Sequence, residues 1–230
     1  MFPSLEERLS DSPLVERVWR TASERDGAFT SISTIHWSIV VATLGGRVSV
    51  SLHGPETVAT RKEHPAEMAW FGIVLALGTY LPAVPPGSLV DGCIVLPGAS
   101  RRTCILGDSQ WSIPDFEHAD AFVDRLARAG VLAHEPVTDA FHHGRTHTSS
   151  VRTAQYRFRH ATGLSRRTVR QIERARHAAA LLRDGASTPD TVFAAGYADQ
   201  SHLTRSLKRF IGRTPTEIPS SPIVALHAST

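Results

Sequence analysis

The feature that constrains this 230-residue chain most is an approximate internal repeat in its C-terminal third, offset by 49 residues. Ser150 precedes a run with helical spacing, Val151 to His160, that ends at Gly163-Leu164-Ser165. Asp199 precedes a second run, Gln200 to Phe210, that ends at Gly212-Arg213-Thr214-Pro215. In register, Ser150 falls on Asp199, Phe158 on Leu207, Gly163 on Gly212 and Ser165 on Thr214. Each run starts with a side-chain oxygen able to accept a hydrogen bond from the free amides of a first helical turn. Each places a large apolar residue eight positions later on the inward face, and each stops at a glycine able to take the left-handed conformation that ends a helix. Between the two copies, Ser165 to Asp184 reads as one long helix with Val169, Ile172, Ala175, Ala179 and Leu182 turned inward.

The second copy is the cleaner one. Thr191, Val192, Ala194 and Ala195 predict a short helix of small residues that another helix can cross closely, with Gly196-Tyr197 as the turn and Asp199 as the next cap. Leu203 and Leu207 hold the following helix to the core at i, i+4 spacing. Its opposite face offers Gln200, Ser201, Thr204, Lys208 and, further round, Arg205, the donor-rich surface expected of a helix entering a major groove. In the first copy Val137 to His143 is the supporting helix, and Arg152, Thr153, Gln155, Tyr156 and Arg159 are the candidate contacts, with Arg157 beside them. Arg166, Arg170 and Arg174 follow one another at i, i+4 along the long helix. Such a stripe suits phosphate contacts that set position without reading sequence, and Arg166, Arg170 and Arg205 are assigned to that role. A helical hairpin with no nucleic-acid role would pack in the same way, and surface arginines paired with nothing would leave the same stripe.

Charge agrees with the division into two halves. Residues 145–218 hold 14 Arg or Lys against 5 Asp or Glu, while the rest of the chain holds 11 against 17. A basic segment behind an acidic remainder points to a polyanion partner for one part only, although a solvated helical face has the same footprint. Hydrophobic residues at 41% and charged residues at 20% supply an ordinary core and exclude wholesale disorder. Cys93 and Cys104 are too few for a disulfide framework or a four-thiolate zinc site, and both lie in apolar, strand-like text that predicts buried thiols. The longest apolar run, Met68 to Leu77, is about half of what a bilayer span needs. Met1 to Ser10 shows no basic start followed by an apolar core, so the expected location is the cytoplasm, with no membrane partner.

The N-terminal half has a different texture. Leu14, Val15, Val18 and Trp19 are spaced as on one face of a short helix. Short β-rich runs follow at Ile35 to Thr43, Arg47 to His53, Trp70 to Leu77 and Gly92 to Leu96, the first two joined as a hairpin through Leu44-Gly45-Gly46. Pro82, Pro85 and Pro86 interrupt regular structure before the last run. From Pro114, Phe116, Ala119, Phe122, Val123 and Leu126 form a helical stripe ending near Gly130. Trp37, Trp70, Phe71 and Trp111 read either as core aromatics or as the lining of a pocket. His36, His53 and His64, and separately His142, His143 and His147, read as ordinary surface histidines, since no acidic or cysteine partner stands at a ligand spacing. There is no phosphate loop, nucleophile elbow or zinc helix, and Gly107-Asp108-Ser109 alone does not make a hydrolase. The expectation is an α+β chain: a β-rich domain over 1–135 and an all-α double helix-turn-helix domain over 136–230, closed by Pro215 and Pro219 with the last dozen residues frayed. No enzyme activity, cofactor or metal is expected.

Three stretches resemble the DNA-binding domain of the AraC/XylS family of bacterial transcriptional regulators. They are Arg174-Ala175-Arg176-His177-Ala178-Ala179-Ala180-Leu181-Leu182, the run from Ala195 to Arg209, and Gly212-Arg213-Thr214-Pro215. The segment they mark, 136–218, covers about 80 residues, a third of the chain. The resemblance implies two helix-turn-helix units joined by one long helix, each able to put a recognition helix into a major groove of promoter or operator DNA. It also implies that the N-terminal region stands in the place of an effector-sensing or dimerisation domain, often a cupin-like β-barrel. A small-molecule effector, RNA polymerase and a second copy of the chain are the further partners that the resemblance allows. Leu203 and Leu207 stand where aromatic residues are usual, and Tyr156 where an arginine is common. The rival readings are a protein-interaction or ligand-binding regulatory module without DNA, and an enzyme built on the β-rich half.

Overall fold

A computed structural model describes residues 5–85, 87–145 and 150–218. The N-terminal strands are β1 (Glu6–Leu9), β2 (Val15–Ala22), β3 (Gly27–Ser31), β4 (Ser38–Leu44), β5 (Arg47–His53), β6 (Thr60–His64) and β7 (Met68–Leu75). After them come β8 (Thr79–Tyr80), β9 (Cys93–Val95), β10 (Thr103–Leu106), β11 (Ser109–Ser112), helix α1 (Ala119–Arg128) and β12 (Ala133–His134). Then the chain is helical: α2 (Val137–His142), α3 (Val151–Thr162), α4 (Arg166–Arg183), α5 (Thr188–Ala194) and α6 (Gln200–Phe210). The expected α+β order, a β-rich region followed by helices, is the observed one. No helix among the described residues is long and apolar enough to cross a membrane. Pro86, His147, Pro219 and the last dozen residues lie outside the described residues, as do residues 1–4.

The main sheet is antiparallel, in the order β1-β2-β7-β4-β5-β9, and β3–β6, β8–β12 and β10–β11 form two-stranded ribbons. The expected hairpin is β4–β5. Its turn is shorter than read, because Leu44 pairs with Arg47 and leaves Gly45 and Gly46 alone at φ 55° and 76°. A two-residue turn with both central residues left-handed matches the twist of the strands, and glycine reaches that conformation without strain.

The helix expected around Leu14 to Trp19 is instead strand β2. Val18 and Trp19 are both fully buried, Val18 in the core shared with α1 and Trp19 in a second core with Val40, Met68 and Trp70. A strand covered on both faces buries consecutive residues, which mimics helical spacing in a short segment. Trp19 lies across β7 at Gly72, where an added Cβ would sit 2.2 Å from its ring. The β-branched Val15, Val18 and Thr21 suit this extended backbone.

The stripe Phe116, Ala119, Phe122, Val123 and Leu126 is buried, with Phe122, Val123 and Leu126 of α1 packed on the sheet. Trp37 is core; Trp111 is half-buried and donates from Nε1 to the Leu106 carbonyl at 3.1 Å. Two expectations do not hold. Cys93 is exposed on edge strand β9, because only Cys104 of the pair points into the sheet's core. The three N-terminal histidines are not freely exposed: His53 is buried beside the Ser51 hydroxyl at 2.9 Å, half-buried His36 binds the Leu75 carbonyl at 2.9 Å, and half-buried His64 packs on Phe29 and Trp70. His142 is likewise buried, 2.9 Å from Glu173, while His143 is exposed. The described residues contain no group of three His, Cys, Asp or Glu placed to hold a metal ion.

The helices pack around a separate core built on Phe158, Val169, Ile172, Leu182, Leu203 and Leu207. Ile32 and Ile35, which precede β4, belong to this core, with Leu77 and Val90 packed against it. The β-rich region therefore completes the helical one.

Candidate nucleic-acid interface

The repeat read from the sequence is present in three dimensions. The Ser150 hydroxyl accepts from the Thr153 amide at 3.2 Å, and the Asp199 carboxylate accepts from the His202 amide at 2.6 Å. Gly163 and Gly212 both have φ 74°. Phe158 and Leu207 are both buried against α4, and so are Ala154 and Leu203, one turn earlier. Ser165 caps α4 through the Thr168 amide at 3.1 Å. Gly196, at φ 68°, makes the turn between α5 and α6.

With its apolar side committed to α4, α6 turns a defined face outward. At 3.6 residues per turn, Gln200, Thr204, Lys208, Ser201 and Arg205 fall within an arc of about 140°. All are exposed except the half-buried Thr204. The 49-residue register places Gln155 on Thr204, Tyr156 on Arg205, Arg159 on Lys208 and Arg152 on Ser201, and these four are exposed on the matching face of α3. Thr153 does not join them. It falls on His202, outside the arc, and its hydroxyl is 2.9 Å from that of Ser150, inside the cap. Val151, exposed at the position of Gln200, is a member of this face that side-chain chemistry alone did not suggest; the repeat register was the signal that names it. Arg157 points away, 3.9 Å from Glu135.

The arginine stripe on α4 is not uniform. Arg170 is exposed. Arg166 donates from Nε and Nη2 to the His142 carbonyl at 3.3 and 2.9 Å and lies 4.9 Å over the Phe141 ring, which binds the start of α4 to the end of α2. Arg174, the third member of the stripe, lies 4.6 Å over the Tyr197 ring with Nη1 3.4 Å from the Gly196 carbonyl. The reason is that α4 is flanked by α2 at one end and by the α5–α6 turn further along, and both neighbours offer a carbonyl and an aromatic face to the passing arginines. Tyr197 is itself fixed by a 2.8 Å hydrogen bond between its hydroxyl and that of Ser206.

Two of the four aromatics read as pocket candidates, Trp70 and Phe71, line a cavity of about 400 Å³ at one end of the main sheet. Arg20 and Phe116 close its other side, with the guanidinium 4.5 Å from the ring and Nε 2.6 Å from Glu6.

Residues 145–219 match the family model described as a helix-turn-helix domain. No curated protein sequence matches the chain. Among solved structures, the chain is similar to the 1.65 Å structure of ToxT from Vibrio cholerae, at 9% identity, with 94% of this chain and 98% of that chain covered and a TM-score of 0.37. It is also similar to ToxT from Vibrio cholerae O395 bound to (E)-4-(8-methylnaphthalen-1-yl)but-3-enoic acid, at 9% identity, 94% and 98% coverage and a TM-score of 0.38. At TM-scores this low the likeness does not by itself define the fold. The family match agrees instead with the caps, turns and buried positions described above, and it falls on the segment where the sequence carries the three family-like stretches. Residues 145–219 are a helix-turn-helix domain, and the three stretches that resemble the AraC type lie within it.

Proposed function

We propose that this chain regulates transcription by reading a specific duplex sequence with two recognition helices, α3 and α6, set in adjacent major grooves. The observation that carries the reading is the equivalence of the two outward faces. The 49-residue offset relates buried positions to buried ones (Ala154 to Leu203, Phe158 to Leu207), and the outward positions are exposed or half-buried in both copies, so both helices present a polar, basic side while their apolar side is turned into the helical core. The 18 residues of α4 span about 27 Å, a length suited to joining two units that enter successive grooves about 34 Å apart. On α6, Gln200 and Thr204 are placed to read base edges, while Arg205 and Lys208 reach phosphates. On α3, Gln155 and Tyr156 take the reading positions, and Arg152 and Arg159 supply charge. Val151 offers an apolar contact of the kind a thymine methyl accepts.

The test is selection of bound duplexes from a random pool by the full chain, repeated with a Gln200→Ala, Thr204→Ala variant. The expected result is one enriched motif whose α6 half loses about 1–3 kcal/mol of discrimination in the variant. An unchanged motif with weakened capture of a partner protein would favour the protein-interaction reading. One observation favours such a contact as an additional use of the domain: Phe193 on α5 is 90% exposed.

The domain division at 135/136 belongs to this proposal, as does signal sensing by the N-terminal part. The cavity beside Trp70, Phe71 and Phe116 is the candidate effector site. A raised unfolding temperature on addition of a small molecule, lost in Phe71→Ala, would support that assignment.

A further inference from the structure

The two recognition helices are joined twice, once through α4 and once through the β-rich half. At the end of α3, a Cβ placed on Gly163 would lie 3.0 Å from Val90 Cγ2 and 3.2 Å from Gly87 Cα. His160, on the last turn, meets the Tyr80 ring edge-on at 5.4 Å. At the end of α6, a Cβ on Gly212 would lie 2.8 Å from Thr30 Cγ2 and 3.2 Å from Ala59 Cβ. There the contact is also hydrogen-bonded: the Ala59 amide donates to the Arg209 carbonyl and the Ser33 amide to the Phe210 carbonyl, both at 2.8 Å. Carbonyls of a last helical turn have no partner within their own helix, so these two bonds satisfy groups that α6 cannot satisfy alone.

The two contact points are tied to each other. The Asp91 carboxylate accepts from the Thr57 amide at 2.5 Å and from the Thr57 hydroxyl at 2.7 Å. The Asp91 amide donates to the Pro55 carbonyl at 2.8 Å, and the Gly54 amide to the Gly92 carbonyl at 3.1 Å. Asp91 holds this position at φ 59°, a left-handed backbone that costs a non-glycine residue some strain. The path runs from α3 through Gly163, Val90, Asp91, Thr57 and Ala59 to the end of α6. It begins and ends at equivalent glycines of the repeat.

We propose that this bridge is a positioning element of the DNA reader, in which Asp91 fixes the separation of the two recognition helices and therefore the half-site spacing the chain accepts. A helix packed only on α4 can pivot about the glycine at its end; a second support from the β-rich half removes that freedom. Half-site spacing on a duplex is a direct readout of helix separation. The inference rests on the reading of α3 and α6 as recognition helices.

The test uses the full chain and duplexes carrying its two selected half-sites at randomised separations. Wild type is expected to enrich one separation. Asp91→Gly removes the carboxylate and relieves the backbone strain. It is expected to keep both half-site sequences while its preference for the best separation over the next falls about fivefold or more. Asp91→Asn, which keeps an acceptor oxygen, is expected to retain most of that preference. An Asp91→Gly chain that unfolds at the wild-type temperature and enriches the same separation at the same ratio overturns the proposal. If that variant does not fold, Thr57→Val, which removes only the hydroxyl, reads the same ratio and decides in the same way. A wild-type chain that selects no sequence overturns the recognition-helix reading and, with it, this inference.

Discussion

Arg170 and Arg174, one turn apart on α4, are expected to fail in different ways when each is replaced by alanine. Arg174 is half-buried, 4.6 Å over Tyr197, with a long 3.4 Å contact to the Gly196 carbonyl. A cation over an aromatic face at a partly exposed site is worth about 0.5–1 kcal/mol. A hydrogen bond at 3.4 Å adds little. Arg174→Ala should therefore destabilise the fold by about 1 kcal/mol or less, at most some 2–4 °C in unfolding midpoint for a chain of this size. Arg170 is exposed, so Arg170→Ala should change stability by less than about 0.5 kcal/mol. It should instead remove one phosphate contact and reduce the slope of log affinity against log salt by about 0.9. Thermal unfolding, with fluorescence anisotropy on the selected duplex across a salt series, separates the two. If Arg174→Ala lowers the salt slope by about one and leaves the midpoint unmoved, Arg174 faces DNA and its assignment to the α5–α6 turn is wrong. If Arg170→Ala leaves the slope unchanged, Arg170 touches no phosphate.

Other outcomes follow from the same geometry. Leu207→Ala, at a fully buried position, should cost about 2–5 kcal/mol by chemical denaturation and abolish sequence-specific binding through loss of α6 rather than of a contact. Asp199→Ala should cost about 1 kcal/mol, because the His202 amide loses its 2.6 Å acceptor, and Asp199→Ser should restore most of it. Burial holds His36 down at about 4 and His53 at about 3, against an unperturbed 6.5. Below pH 6.5 the unfolded chain takes up protons that these native imidazoles refuse, so stability should fall with pH from 6.5 toward 4 by up to about 1.4 kcal/mol per unit for each. His53→Gln should flatten that slope in a urea-unfolding series, and an equally steep series would show that His53 is not buried neutral.

The helical third of the chain was legible because its signals are local. Ser150, Ser165 and Asp199 cap helices within three residues of themselves, and Gly163, Gly196 and Gly212 turn the backbone where they stand. Leu203 and Leu207 mark the buried side of α6 by spacing alone. The misreadings arose where burial came from elsewhere in the chain. Val15, Val18 and Trp19 looked helical because β2 is covered on both faces, which no window of its own residues can reveal. The i, i+4 spacing of Arg166, Arg170 and Arg174 correctly placed them on one side of α4. It could not say that Phe141 and Tyr197 would stand in front of two of them.

Local text is enough to specify two capped, glycine-terminated helical units on a shared long helix, and which face of each is apolar. Caps, turns and amphipathic spacing act over three or four residues, so they survive as text. Which arginines remain exposed depends on packing between distant segments. So does the place of Ile32 and Ile35 in the helical core, and the pairing of Thr57 with Asp91, 34 positions apart, between the ends of α3 and α6. Those contacts form between segments that carry no mark of each other, and their energy appears only once the chain has closed the loops that bring them together.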